Sequence, residues 1–413
     1  MSLAPAKIDL DRLRALLAGV NAFGANPVTG GFNRPGFSDA HMACISWFED
    51  QMRADGLATR RDGAANLFGR LGDPDGPAIL IGSHLDTVIE GGAFDGALGA
   101  CVALECVRAI KEAGLTLKVP IEVAATSEEE GRFGGMLGSQ TITGQVSPGW
   151  LETAADAGGF LLTDAMTAQG LDPQAIFTSA RPPGSVKAFL ELHIEQGPVL
   201  EAEGIAIGVA DRVSGVCSLE CVLFGAANHS GTTPMDMRAD AFAGLAEVSA
   251  AIPDLVRDHG TDQSRITIGR VDLTPNHPHT IPGMAAFTVI LRDVDEAVMR
   301  ALKRELSKVI RRKADKNGLT HRIFERSWLP PAALDVPLAD HALRIAGALG
   351  VPAKRMPSGA GHDAQTMQAL CPSLLVFVPS RNGISHAPEE HSNWADIEKG
   401  ANLMLQLLTD LTT

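Results

Sequence analysis

"AILIGSHLDTVIEGGAFDGALGACVALECVRAIKEAGLTLKVPIEVAATSEEEG" (Ala78–Gly131) is the stretch that decides the fold. It opens on a continuous apolar run, "AILIG", that ends in polar residues, as a strand buried on both faces does. "GALGACVALECVRAIKEAG" then carries apolar residues at helical spacing and stops at Gly114, a helix terminator. "VPIEVAATS" is a second buried strand. A strand–helix–strand unit of this kind implies a mainly parallel sheet with helices on its faces. Ligands bind such sheets beyond the carboxyl ends of the strands.

Outward from this unit, residues 8–23 and 39–56 read as amphipathic helices and "NLFGRL" as a strand. The style changes near Val213. "SGVCSLECVLFGAA" alternates as a strand, 237–258 is helical, and "RITIGRVDL" and "MAAFTVILRD" are strands. A helix over 294–316 and a strand "THRIFERSW" complete a β-α-β-β-α-β order, that of a ferredoxin-like sandwich. "LPPAAL" punctuates the chain. Helix 339–349, strand "SLLVFVPS" and helix 394–412 then resume the first style. The expected architecture is α/β: a discontinuous, mainly parallel-sheet domain (1–212 and 329–413) with a ferredoxin-like α+β domain inserted at 213–328.

The chain has 413 residues and a formal charge of −14, which disfavours a broad surface for nucleic acid or anionic membrane. Its longest apolar runs fall short of the ~18 residues that span a bilayer, and the N-terminal stretch lacks a signal-peptide core. The six cysteines sit in mostly apolar contexts without CxxC spacing, so reduced core cysteines in a cytoplasmic protein are expected. Cys217 and Cys221, four apart on a strand, are not read as a zinc pair.

Four strand ends deliver metal-binding or acid–base side chains. "GSHLDTVIEGGAFDGALG" offers His84, Asp86 and Asp95. An imidazole and a carboxylate there suit zinc, with Asp86 placed to accept the other ring N–H of His84; the plainer reading is a polar loop with glycine turns. "SEEEG" places three glutamates together, "ELHIEQGP" ends in His193, and "SRNGISHAPEE" carries His386. Three histidines, a shared aspartate and a glutamate suffice for two metals, since a carboxylate can bridge cations about 3.5–4 Å apart. A further glutamate is then free to take a proton from water and pass it to a leaving nitrogen.

The chain resembles the di-zinc aminoacylase and carboxypeptidase superfamily, specifically its hydantoinase/carbamoylase amidase branch. "GSHLDTV", "GAFDGALG", "EEEGRFG", "HIEQGPVLE", "NHSGTTPM", "SGAGHDA" and "GISHAPEE" carry the resemblance, in the expected order, over residues 82–390. It implies that Asp95 bridges two divalent metals, zinc first, with manganese or cobalt as alternatives. His84 and His193 would complete one site, Glu130 and His386 the other, with Glu129 as general base and Glu128 in an outer or solvent-facing place. The inserted domain would be a lid and dimerisation domain, with His229 stabilising the oxyanion across a homodimer interface. Arg292 would hold a substrate carboxylate, Gln196 a ureido group, and Asn228 a further substrate contact.

Two departures from the family pattern stand out. "EEEGRF" is one residue shorter than usual, so aligning on Arg-Phe instead of the gap-free count from Asp95 would move base and ligand to Glu128 and Glu129. His279 stands where the family has an asparagine that helps hold the carboxylate. The implied activity is hydrolysis of the ureido C–N bond of N-carbamoyl-L-amino acids. Allantoate, ureidoglycolate and N-carbamoyl-β-alanine are alternative substrates, aminoacylase or dipeptidase activity is a remoter reading, and an inactive homologue would have lost a ligand or the base.

Overall fold

The computed structural model describes residues 6–413. It divides into two compact units, one of Met1–Asp211, Ala333–Ser358 and His362–Thr413, the other of Arg212–Ala332 and Gly359–Gly361. Nothing in the sequence signals that Gly359–Gly361 belongs with the second unit; the Arg292 guanidinium, donating to the Gly359 carbonyl at 3.1 Å, ties it there.

The first unit is built on a large mixed sheet. At its centre the strands Ile121–Thr126, Ala78–His84, Val186–Ile194 and Ser373–Val378 lie side by side and parallel. Leu67–Leu71 and Ile207–Val213 join its two sides antiparallel, and Ala58–Arg61 lies antiparallel beyond Leu67–Leu71. "AILIGSH" is buried at every position, as the unbroken apolar run requires. The helix Ala97–Glu112 packs closely on these strands, and a Cβ at Gly99 would stand 2.3 Å from the Leu192 carbonyl oxygen. That glycine is needed for the close approach. The sequence reading misses Ala58–Arg61 and Ala353–Ser358 as strands, because both are short and each carries three polar residues.

The second unit holds a four-stranded antiparallel sheet in the order Thr320–Leu329, Gly215–Phe224, Met284–Asp293, Arg265–Thr274. Gly215–Phe224 and Met284–Asp293 alternate buried and half-buried residues, so one face carries the core. The helices Ala241–His259 and Glu296–Lys316 contribute Leu245, Val248, Leu302 and Leu306 to that core. Cys217 and Cys221 are buried in it as free thiols beside Leu219. Among the described residues, no helix is long and apolar enough to cross a membrane.

One buried group of the first unit gives the fold an acid limit. His41 is fully buried, accepts a hydrogen bond at Nδ1 from the Phe37 backbone N–H, and has no partner at Nε2. Burial pushes its pKa down to about 4. Between there and the ordinary value near 6.5 the unfolded chain binds the extra proton, so stability rises with pH across this window and is lost as pH falls. The loss at the acid end is about 3 kcal/mol from this group. Urea midpoints measured from pH 7 to 4.5 should fall less steeply for His41→Met than for the native chain.

Candidate functional site

The four central parallel strands end together, and their carboxyl ends bring the sequence-distant candidates into one place. His84 is the last residue of its strand and His193 the penultimate residue of its own; Glu129 and Glu130 follow Ile121–Thr126, and His386 follows Ser373–Val378. Asp95 comes from the loop before the helix Ala97–Glu112, where Gly96 adopts φ 61°. A Cβ at Gly96 would press on the His84 ring at 2.3 Å, so only glycine leaves the imidazole its place.

The two oxygens of Asp95 face different partners. Oδ1 lies 3.0 Å from His193 Nε2 and 3.6 Å from His84 Nε2, whereas Oδ2 lies 3.1 Å from His386 Nε2. Glu130 Oε2 is 3.2 Å from the same His386 nitrogen. Candidate ligand atoms of His84, Asp95 and His193 fall within 4.8 Å of one another, and so do those of Asp95, Glu130 and His386. Each of two imidazoles is anchored at the far side: His193 Nδ1 sits 2.8 Å from the Ile194 carbonyl oxygen and His84 Nδ1 3.1 Å from that of Asp86. These anchors place the ring protons on Nδ1 and leave Nε2 as the ligand atom.

Asp86 does a different job from the one expected of it. Its carboxylate is 3.8 Å from His84 Nδ1, too far for a hydrogen bond, because the backbone carbonyl of the same residue already takes that N–H. The carboxylate instead accepts the backbone N–H groups of Glu129 and Glu130, at 3.3 and 3.1 Å. It therefore orients the glutamate pair.

The three glutamates separate cleanly. Glu130 turns to His386, and Glu129 Oε2 lies 3.7 Å from His84 Nε2. Glu128 is fully buried, so of the two places expected for it, outer or solvent-facing, it takes the one away from solvent. It adopts φ 60°, and its carboxyl accepts the Phe133 N–H and packs on Gly36. Backbone N–H groups of Met136, Leu137 and Gly138 donate to the carbonyls of Glu129, Glu128 and Ser127, folding "GRFGG" back on the glutamates.

The site holds more negative charge than its histidines offset. Burial, then Glu130, Asp363, Asp86 and Asp95, push Glu129 well above the usual carboxylate range. Burial also opposes ionisation of Asp95, yet His193, His386 and His84 hold it well below that range. Asp95 overcomes burial to raise His193 to about 9, and Asp95 with Glu130 raises His386 to about 11. Converging imidazole Nε2 and carboxylate oxygen atoms in a site that attracts positive charge fit divalent cations.

Several supporting residues escaped the sequence reading. Glu390 accepts the backbone N–H groups of Phe94 and Asp95, and Ser385 Oγ lies 2.8 Å from Glu390 Oε2 and 3.1 Å from Asp95 Oδ2, within reach of either. No spacing rule could find contacts spanning nearly three hundred residues of chain. Glu191 did leave a signal: it is a charge inside an apolar strand, two residues before His193 and so on the same face. It accepts from Ser83 Oγ and the Ala364 N–H, while His362 stacks edge-on at 4.5 Å from the His193 ring. Ligand atoms of Glu191, His193 and His362 also fall within 4.8 Å of one another, but both Glu191 oxygens already accept hydrogen bonds.

The remaining candidates lie in the second unit. His229 accepts the Gly231 N–H at Nδ1, and Asn228 Oδ1 accepts the His229 N–H. The Ser230 N–H donates to the His279 carbonyl, which joins the loops of His229 and His279. Arg292 lies on the strand Met284–Asp293. The neighbouring carboxylate of Asp293 is taken by Thr261 and Ser264, and that of Asp295 caps the following helix. Gln196 belongs to the first unit, where its Nε2 is 2.7 Å from Asp95 Oδ2 and its buried Oε1 has no partner.

Comparison with known proteins shows the family of the chain. The model of peptidase family M20/M25/M40 matches residues 80–410. The chain is 36% identical over 385 residues to an N-carbamoyl-L-amino-acid amidohydrolase of Paenarthrobacter aurescens, covering 92% of this chain and 93% of that protein. It is 36% identical over 398 residues to an allantoate amidohydrolase of Escherichia coli (strain K12), covering 95% of each. Among solved structures, a hydantoinase/carbamoylase family amidase from Burkholderia multivorans superposes with a TM-score of 0.86 at 31% identity, over 98% of both chains. The match begins at the strand that ends in His84 and runs into the C-terminal helix, so it takes in every candidate ligand: this chain belongs to peptidase family M20/M25/M40, in its hydantoinase/carbamoylase branch.

Proposed function

We propose that this protein is a two-metal amidohydrolase that cleaves the ureido C–N bond of N-carbamoyl-L-amino acids, releasing amino acid, ammonia and carbon dioxide. The observation that carries the reading is Asp95, whose two oxygens are divided between the His84–His193 pair and the Glu130–His386 pair. His84, His193 and Asp95 would hold one divalent cation and Asp95, Glu130 and His386 the other. Zinc is the first choice for this donor set, with manganese and cobalt as alternatives. Such cations supply Lewis acidity, acidifying water and polarising a carbonyl oxygen.

The protein's own groups supply the rest. Glu129 takes a proton from water and passes it to the leaving nitrogen. Burial and the surrounding carboxylates give it the raised proton affinity this exchange needs. Asp86 keeps Glu129 and Glu130 aimed through their backbone N–H groups. Gln196 Oε1, buried and unpartnered, is an acceptor for a ureido N–H. In His229 the Gly231 N–H occupies Nδ1, so the neutral ring carries its proton on Nε2, the donor an oxyanion requires. Asn228 and His279 complete the substrate contacts beside it.

We assign Arg292 to the substrate carboxylate, where its fork matches two oxygens. Arg292→Ala should raise KM for carboxylated substrates by about 10- to 100-fold with kcat little changed, and lysine should restore only part of it. Unchanged kinetics would remove Arg292 from the site. The second unit is proposed as lid and homodimerisation domain; Phe324, Met235 and Met237 are exposed on it. Free, buried cysteines support a reducing, cytoplasmic setting.

Allantoate hydrolysis is the second reading, favoured by the identity to the Escherichia coli enzyme. Ammonia release from N-carbamoyl amino acids, allantoate, ureidoglycolate, N-carbamoyl-β-alanine and N-acetyl amino acids tests the proposal. Turnover confined to N-acetyl compounds would replace it with an aminoacylase.

A further inference from the structure

Beside the ligand cluster, the first unit contains a cavity of about 530 Å³ with Glu130 in its wall. Pro35, Val88, Ile89 and Ala157 supply apolar lining, and Ile89 is left 66% exposed. Arg132 and Asp156 in the lining are largely engaged with each other and with backbone groups. Arg132 donates to the Gly36 carbonyl and to Asp156 Oδ2, and Asp156 Oδ1 accepts the Gly158 and Phe160 N–H groups. Thr87 Oγ1 accepts the Arg34 N–H and donates to the Phe32 carbonyl. A substituent entering this cavity meets apolar surface beside an Arg132–Asp156 pair and a Thr87 hydroxyl that already hold hydrogen bonds.

We infer that this cavity receives the side chain on the substrate's α-carbon and selects aliphatic or aromatic side chains, an inference that rests on the ureido reading above. The cavity shares Glu130 with the ligand cluster, so a substituent close to a scissile group held there can reach this wall. An apolar side chain gains there by leaving water, about fourfold per buried methylene. The second ureido group of allantoate, with donors and an acceptor of its own, would give up water for committed partners and lose affinity. The cavity thus favours N-carbamoyl amino acids with apolar side chains over allantoate.

The test is kcat/KM for the N-carbamoyl derivatives of glycine, alanine, norvaline and leucine, and for allantoate, with metal-loaded native protein, Ala157→Trp and Ile89→Asn. Both residues are exposed, and thermal melting checks that each variant folds. In the native protein kcat/KM should climb about fourfold per methylene from glycine to leucine and be lowest for allantoate. Ala157→Trp, which fills the cavity, should cost the leucine derivative about tenfold or more and the glycine derivative less than about twofold. Ile89→Asn should flatten the series. A native series that is already flat, or an Ala157→Trp loss equal across all substrates, overturns the assignment while leaving the ureido reading intact. Absence of turnover with every ureido compound overturns that reading and this inference with it.

Discussion

Glu129→Gln is expected to bind the native complement of metal and to lower kcat by about 10³-fold, within the range of a lost general base. The amide keeps the size of the side chain and leaves the Asp86 clamp on the Glu129 and Glu130 backbone N–H groups undisturbed. It cannot take a proton from water. Glu130→Gln should show the opposite pattern, because Glu130 Oε2 faces His386 at 3.2 Å: metal is lost first and activity follows. Glu128→Gln should leave both nearly unchanged. Burial and the Asp86 carboxylate push Glu128 up to about 8, so at neutral pH it is mostly a neutral acid that glutamine mimics. Elemental analysis with steady-state kinetics on the three variants decides the register. Metal loss in Glu129→Gln together with turnover loss in Glu128→Gln would shift base and ligand back by one residue.

The second large effect is expected from Asp95→Ala. Among the described residues, Asp95 alone has a carboxylate facing both histidine groups, so on the two-metal proposal its removal should drop metal content from two equivalents to below one and reduce hydrolysis to background. Folding should survive, since Glu390 holds the loop through the backbone N–H groups of Phe94 and Asp95, which alanine retains. The variant should also lose the metal-dependent rise in melting temperature. A ligand present at a hundred times its Kd stabilises the native state by about 2.7 kcal/mol, and this contribution disappears with the site. Two equivalents of metal retained by Asp95→Ala would rule out the bridging arrangement.

The glutamate register shows where reading along the chain stops. "EEEGRF" admits two alignments, and both are chemically sensible. The structure brings Glu129 and Glu130 to the histidines because "GRFGG" folds back through three backbone hydrogen bonds and buries Glu128 against Gly36. Asp86 shows the same limit at finer scale. Its closeness to His84 in sequence suggested a ring contact, but the backbone carbonyl was nearer, and the carboxylate found two N–H groups on another strand's end.

Local pattern by itself determined the buried strands, the long amphipathic helices, the change of style near Val213 and the residue types able to bind metal. All of these depend on hydrophobic periodicity, helix stops and side-chain chemistry, which are written within a few residues of one another. Tertiary structure alone decided which oxygen of Asp95 meets which histidine, which glutamate turns inward, and that Glu390 and Ser385 hold Asp95 in place. Those outcomes depend on the order of four parallel strands and on the path of the loops beyond their ends. They are distances between atoms far apart in the chain, and no local periodicity encodes them.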